Sequence, residues 1–249
     1  MSLPSSSKVY GRDEEKKQII DILLNNTSSS VTDAKTLSVL PIVGLGGLGK
    51  TTLAQMVFND EEIANHFDTK FWVCVSDEFD IKLVIKAILE DKAEASLEEL
   101  QKKVRDKLRG RRYLIVLDDV WNEEVKAWDD LRSILDCESN GAFVLTTTRK
   151  RNVAEIMETI QHVTLSSLSE DDCWLLFEQR AFEHEKPKTQ NFINIGKEIA
   201  LKCKGVPLVA KTLGSQLRFN GDEEEWCRIR DSELWKISEN EKSIMPILS

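Results

Sequence analysis

The sequence predicts an α/β fold, a three-layer parallel sheet with flanking helices, followed by a small four-helix bundle. Three observations carry this. A glycine loop, GLGGLGKTT at residues 44–52, joins an apolar β-prone run at 37–43 to a helical pattern at 53–58. Short apolar runs and helical stripes then alternate as far as residue 165, as they do when strands are buried on both faces by crossover helices. From Ser166 onward no β-prone run recurs and only helical periodicity remains.

The glycine loop matches G-x-x-x-x-G-K-[ST], and it stands between a strand and a helix, where that motif has to stand. Gly44, Gly46, Gly47 and Gly49 let backbone N–H groups turn toward phosphate oxygens without Cβ clashes. The helix that follows adds the positive end of its dipole. Lys50 reaches the β- and γ-phosphates, and the Thr51 hydroxyl is a ligand for Mg²⁺. With Leu48 and Thr52, these residues form the candidate phosphate-binding set. A glycine turn matching by chance would not carry both flanks. The loop therefore implies a nucleoside di- or triphosphate ligand and the P-loop NTPase fold.

Taken in order, residues 2–7 are a polar, proline-containing lead-in ending in Val9-Tyr10-Gly11-Arg12. Asp13-Glu14-Glu15 starts a helix over 16–24, with Ile19, Ile20, Leu23 and Leu24 as its apolar stripe. A helix ahead of the loop strand is more than a minimal nucleotide fold needs, and it is expected to help cover the nucleotide. Residues 25–35 lack periodicity and read as an exposed loop. Beyond the glycine loop, 70–75 is a second buried strand. Val84, Ile85, Ile88 and Leu89 mark one helix, and Leu97, Leu100, Val104 and Leu108 another. Residues 113–119 then form an apolar run ending in Asp118-Asp119, a strand delivering carboxylates to its C-terminal edge. Residues 141–149 make a further strand closing in Arg149, 152–157 a short helix, and 162–165 the last strand.

In the helical part, Ser169 with Asp172 caps a helix bearing Trp174, Phe177 and Ala181. Residues 183–190 are a charged linker around Pro187, and Phe192, Ile195, Ile199 and Cys203 form a stripe stopped by Gly205. Pro207 opens a third helix, with Leu208, Val209, Leu213 and Leu217, at the N1 position where its missing N–H costs nothing. Residues 223–229 make a fourth with Trp226. The expected organisation is a nucleotide-binding domain at 1–165, a helical subdomain at 166–242, and the start of a linker at 243–249.

Composition narrows the function classes. The chain has 249 residues, 41% hydrophobic and 31% charged, with a net charge of −9. That length suits one and a half to two globular domains. The acidic balance argues against nucleic acid as the main partner, and no run approaches a membrane span or a signal-peptide core. Five widely spaced cysteines (Cys74, Cys137, Cys173, Cys203, Cys227) with no C-x-x-C read as reduced core thiols of a cytoplasmic or nuclear protein. Three histidines, His66, His162 and His184, make a histidine metal site a poor reading. Trp72, Trp128, Trp174 and Trp226 read as core or interface residues rather than ligand contacts.

Several motifs coincide in order, and here the chain resembles the NB-ARC module of plant intracellular nucleotide-binding, leucine-rich-repeat disease resistance proteins. They are VYGR at 9–12, GLGGLGKTT at 44–52, FDTKFWVCVS at 67–76, YLIVLDDVW at 113–121, TTTR at 146–149, LSEDDCWLLF at 168–177 and GVPLVA at 205–210. The resemblance covers essentially the whole chain, and Trp121 marks the coiled-coil class within it. It implies further parts not found in these residues: a coiled coil, a winged-helix subdomain whose histidine touches the β-phosphate of ADP, and leucine-rich repeats. On this view the chain is an excised fragment, the nucleotide-binding domain plus first helical subdomain, or a truncated gene product.

The resemblance also assigns roles. Asp118 holds Mg²⁺ through Thr51 or water, Asp119 is placed to polarise an attacking water if hydrolysis occurs, and Arg149 corresponds to the sensor arginine that reads the γ-phosphate or its absence. Lys50, Asp118 and Asp119 would be the catalytic set. Without the resemblance, the two acids could be surface groups after a core strand, and Arg149 a surface arginine. Val9, Tyr10, Gly11 and Arg12 match the loop that meets adenine, and Pro207 with Leu208 the helix that packs on adenine and ribose. A domain-start turn and a plain helix-starting proline are the alternatives.

The implied function is an adenine-nucleotide switch of a plant immune receptor, cycling between ADP and ATP with Mg²⁺ and hydrolysing slowly. Its partners would be the coiled-coil, winged-helix and repeat domains of the full-length receptor, which alone would oligomerise with ATP; no nucleic acid and no membrane contact is expected. An interaction scaffold without turnover is the alternative that sequence cannot separate from it. A metabolic P-loop kinase would need an acceptor pocket and an arginine-bearing lid that the sequence does not display, and no N-K-x-D motif supports a GTPase.

Overall fold

The computed structural model of the protein describes residues 8–26, 37–75, 79–91, 95–137, 139, 141–183, 188–219, 222–232 and 235. The lead-in at 2–7, the loop expected at 25–35 from residue 27 on, Ser76, His184, Pro187 and the linker at 243–249 lie outside the described residues. The chain divides into two compact units. The first comprises Glu14–Leu45 and Lys50–Leu165. The second holds Gly46–Gly49 together with described residues 8–13 and 166–235. The tip of the glycine loop thus groups with the helical unit, and the loop's two ends with the sheet.

The first unit is a five-stranded parallel sheet: β1 (Ser38–Val43), β2 (Thr69–Cys74), β3 (Tyr113–Asp118), β4 (Ala142–Thr148) and β5 (Val163–Thr164). The spatial order is β2-β3-β4-β1-β5. Every residue of β3 and of β4 is buried, which explains their unbroken apolar reading. Pro41 sits inside β1, where a proline ordinarily breaks a ladder. Val39 two residues earlier accepts from Thr159 and Ile160, and Val43 two residues later accepts from Leu165. By strand alternation Pro41 turns its missing donor to that same side, and β5 begins only opposite Ile42. The proline therefore costs no bond with β4.

Helices of this unit are α1 (Asp13–Asn26), α2 (Lys50–Phe58), α3 (Glu61–His66), α4 (Ile81–Leu89), α5 (Leu97–Leu108), α6 (Val125–Leu135) and α7 (Arg151–Met157). The starts of α3, α4 and α5 are set locally. Asp60 and Asp80 cap α3 and α4 through their side chains, and Ser96 with Glu99 closes a capping box on α5. Val84, Ile85, Ile88, Leu100, Val104 and Leu108 bury one face of the α4–α5 pair, whereas Leu97 of the expected stripe is exposed. Sequence patterning gave no α3 or α6. The six-residue α3 buries only Ile63, too little for a period to register. On α6, Trp128, Leu131, Ile134 and Leu135 do form a stripe, but its N-cap Glu124 makes no side-chain cap bond and so announces no start.

The second unit contains α8 (Glu170–Ala181), α9 (Gln190–Lys202), α10 (Pro207–Leu217) and α11 (Glu223–Arg230). Ser169 accepts from the Asp172 N–H, Pro207 stands at the first turn of α10, and Gly205 ends the preceding segment at a positive φ of 70°. Trp226 is fully buried, edge-on to Phe177 at 6.0 Å and to Phe192 at 5.0 Å. Truncating such a residue to alanine costs about 3–5 kcal/mol. Trp128 is buried as well, while Trp72 and Trp174 are half-buried.

One sequence expectation fails here. The cysteines are free, but they are not all core: Cys173 and Cys203 are buried, Cys137 and Cys227 half-buried, and Cys74 exposed. Cys74 is the last residue of β2, which pairs with β3 at the edge of the sheet among the described residues.

Candidate functional site

The C-terminal ends of β1, β3 and β4 lie side by side, and most site candidates of the first unit hang from them. Gly44 donates its N–H to the Thr148 carbonyl at 3.2 Å, which fixes the start of the loop on β4. Gly47 and Gly49 take positive φ values of 78° and 93°. A Cβ on Gly49 would meet nothing within 4 Å, so backbone conformation and not crowding demands glycine there. Lys50 is buried, and its ammonium donates to the Gly44 carbonyl at 2.8 Å and the Leu45 carbonyl at 3.1 Å. Burial pulls its pKa below the ordinary lysine value, and the Arg149 charge pulls the same way, against Asp119 and Asp118. The lysine is a desolvated cation at the mouth of the loop.

Asp118 ends β3 buried, and its Oδ1 accepts from Thr51 Oγ1 at 2.9 Å and from Thr147 Oγ1 at 2.6 Å. Thr147 Oγ1 in turn accepts from the Asp119 N–H at 2.8 Å, and the Thr147 carbonyl accepts from the Val120 N–H. This holds Asp119 in a left-handed conformation, φ 59°, which swings its carboxylate away from the strand direction. The two acids therefore differ. Asp118 is locked and buried, while the Asp119 side chain is 46% exposed and faces Arg149, Nε to Oδ1 3.8 Å. Both carboxylates stand at the C-terminal edge of β3, but only that of Asp118 is buried.

Thr147 was not among the residues expected in the site. A run of three threonines ending a strand buried on both faces was the available signal, since a buried hydroxyl is usually hydrogen-bonded. Thr148 Oγ1 accepts from the Lys150 N–H, whereas Thr146 Oγ1 has no hydrogen-bond partner among the described residues.

The second unit gathers the residues expected at the base. Gly11 has φ 63°, and a Cβ there would come within 2.5 Å of the Asp172 carboxylate, so both conformation and space require glycine. Arg12 is buried, and its Nη2 donates to the Leu48 carbonyl at 3.0 Å and the Ser166 carbonyl at 2.8 Å. Leu208 donates its N–H to the Gly47 carbonyl at 3.2 Å and leaves its side chain 42% exposed. Val9 and Tyr10 are half-buried. The loop tip is thus braced by Arg12 and by the first turn of α10.

A strand ending in a glycine loop, a buried lysine at the next helix start, and a threonine–aspartate pair on the neighbouring strand ends define a P-loop NTPase fold. The residues fit a Mg²⁺-bound nucleotide: left-handed glycines open the loop, a buried ammonium stands on the loop carbonyls, and a hydroxyl–carboxylate pair offers hard oxygen ligands. Residues 12–187 match the NB-ARC domain family, and the chain belongs to that family. It is 53% identical over 253 residues to disease resistance protein RGA2 of Solanum bulbocastanum, covering 99% of this chain and 26% of that protein. It is 37% identical over 257 residues to the putative disease resistance RPP13-like protein 1 of Arabidopsis thaliana, covering 99% of this chain and 24% of that one. The chain therefore spans about a quarter of the length of the disease resistance proteins it matches. Among solved structures it resembles the ORC2 protein of Aeropyrum pernix in its ADP form, with a TM-score of 0.65 at 16% identity over 95% of this chain and 72% of that one. That likeness shows the fold.

Proposed function

We propose that this module binds ADP and ATP with Mg²⁺ and acts as the nucleotide switch of a plant immune receptor of the coiled-coil class. The carrying observation is the group of Lys50, Thr51 and Asp118 on the glycine loop and the end of β3, a cation for phosphates beside a ligand pair for a metal. Mg²⁺ held by Thr51 and Asp118 would neutralise charge on the β- and γ-phosphates. Lys50 would exchange its loop carbonyls for phosphate oxygens, and the glycine N–H groups with Leu48 and Thr52 would complete the cradle. Asp119, exposed and turned out of the strand, would orient a water for slow hydrolysis, and Arg149 would sense the γ-phosphate.

Base recognition belongs to Val9, Tyr10, Gly11, Pro207 and Leu208. Arg12 spends its guanidinium on the Leu48 and Ser166 carbonyls, so its part there is to brace the loop, and a base contact from this position falls to its backbone. ADP would favour one relation of the sheet and helical domains and ATP another, which lets nucleotide exchange govern assembly of a full-length receptor in the plant cytoplasm or nucleus. The defence role rests on the disease resistance relatives, half identical to this chain.

Release of bound nucleotide from the purified, denatured protein tests this reading directly. Adenine nucleotide in the eluate, with calorimetric binding of ADP and ATP that guanine nucleotides do not match, is the expected result. No binding of either adenine nucleotide would overturn it. Turnover separates the switch from a scaffold: slow Mg²⁺-dependent hydrolysis lost in Asp119→Ala supports the first, and none in the native protein the second.

A further inference from the structure

Arg149 leaves the end of β4 with an unusual set of neighbours. Its guanidinium carbon lies 4.7 Å over the centre of the Trp121 ring, and its Nε is 3.8 Å from Asp119 Oδ1. The arginine side chain is 47% exposed, with Trp121 and Asp119 as neighbours among the described residues. Trp121 follows the acidic end of β3 and is itself half-buried. The adjacent Lys150 also approaches this ring, Nζ 5.9 Å from its centre, and pairs with Glu123. Two cations from the end of β4 are thus gathered on one indole and the acid two residues beyond it.

A guanidinium lying over an aromatic face keeps its N–H fork free in its own plane, whereas one held by a bidentate carboxylate has spent it. Asp119 at 3.8 Å is beyond hydrogen-bond length and makes no such bidentate pair. Thr148, the residue before Arg149, accepts from the Gly44 N–H at 3.2 Å, so Arg149 leaves β4 beside the start of the glycine loop.

We infer that Trp121 is a positioning residue for Arg149: its ring face holds the guanidinium extended toward the phosphates with its donors unspent, and so sets the preference for a γ-phosphate. This rests on the reading of Arg149 as the γ-phosphate sensor. The role needs a flat π-face and not merely an apolar side chain of similar bulk. Phenylalanine should therefore substitute and leucine should not. Since ADP lacks the group Arg149 reads, the loss should fall on the triphosphate alone.

The test compares dissociation constants for ADP and for a non-hydrolysable ATP analogue, each with Mg²⁺, in the native protein and in Trp121→Phe, Trp121→Leu and Arg149→Ala. Trp121→Leu should weaken the analogue by about twofold to thirtyfold and leave ADP unchanged, with most of the loss recovered in Trp121→Phe. Emission from Trp121, taken as the difference between native protein and Trp121→Phe, should change with the analogue and not with ADP. That difference decides the matter if the leucine variant does not fold. An unaltered analogue-to-ADP ratio in Trp121→Leu, equal damage in the phenylalanine and leucine variants, or a silent difference spectrum would each overturn the inference. If Arg149→Ala keeps the native ratio, the sensor reading fails and this inference with it. If Arg149→Ala loses the ratio and Trp121→Leu keeps it, only the role of Trp121 falls.

Discussion

At the ends of β1, β3 and β4 the polar groups are side chains spent on one another. Thr51 and Thr147 converge on Asp118, and Lys50 caps two loop carbonyls. In the stretches assigned to the base, the bonds run to backbone carbonyls. The Leu208 N–H and the Arg12 guanidinium grip carbonyls of the loop tip, and the apolar Val9 and Leu208 side chains are left partly open. Phosphate and metal are charged and demand fixed side-chain chemistry at fixed spacing. A base offers a flat face and a few edges, which backbone and apolar surface can meet in many sequences. The first region is preorganised by charge, the second by chain path.

The largest effect should come from separating charge from fold at Lys50. Lys50→Met removes a buried cation and two hydrogen bonds to carbonyls, losses that offset each other in stability. The melting temperature of the nucleotide-free variant should stay within about 3 °C of native or rise. Its affinity for ADP and ATP should fall by about a hundredfold or more, since the amine supplies the charge on which two phosphates converge. A stable variant with native affinity by calorimetry would break the assignment of the phosphate half.

Next come the acids, where the structure sharpens what pattern alone leaves equal. Asp118→Asn should abolish the Mg²⁺ dependence of ATP binding, while Asp119→Asn should slow hydrolysis and spare ADP affinity. Thr147→Val tests the lock between them. It deletes the donor to Asp118 and orphans the Asp119 N–H, at a cost of about 2–4 kcal/mol by denaturant unfolding, with the Asp119 role damaged as well. Identical behaviour of the two asparagine variants in both assays would erase the distinction.

The unequal legibility of the two regions has the same physical origin. GLGGLGKTT and LDD fix residue types at fixed spacing, so the loop, β3 and the Thr51–Asp118 pair were readable from the chain alone. The strands were readable because each is an apolar run, but their order was not. Placing β4 between β1 and β3 is what brings Thr147 to Asp118, and nothing local encodes that neighbour. Arg12 shows the converse. Its place in the VYGR motif associated it with the base through the resemblance, and only the folded chain shows its guanidinium committed to the Leu48 and Ser166 carbonyls. Trp121 under Arg149 is a contact between residues 28 positions apart at the ends of adjacent strands, equally invisible to periodicity.

The smallest expected effect is the one that isolates the base. Leu208→Ala keeps the N–H bond to the Gly47 carbonyl, because that bond is made by the backbone, and removes only a side chain that is already 42% exposed. Stability should change by less than about 1 kcal/mol. If the leucine covers a face of adenine, trimming it should weaken ADP and ATP alike by about threefold to tenfold, below the value of a fully buried leucine. Tripolyphosphate with Mg²⁺ supplies the control, since it offers the phosphate half everything and the base half nothing. Its binding should be untouched by Leu208→Ala and lost in Lys50→Met. Tripolyphosphate weakened as much as ADP in Leu208→Ala would mean that α10 acts through the loop tip, and the base assignment would fall. ADP binding unchanged in that variant would place the adenine elsewhere and leave the phosphate half standing.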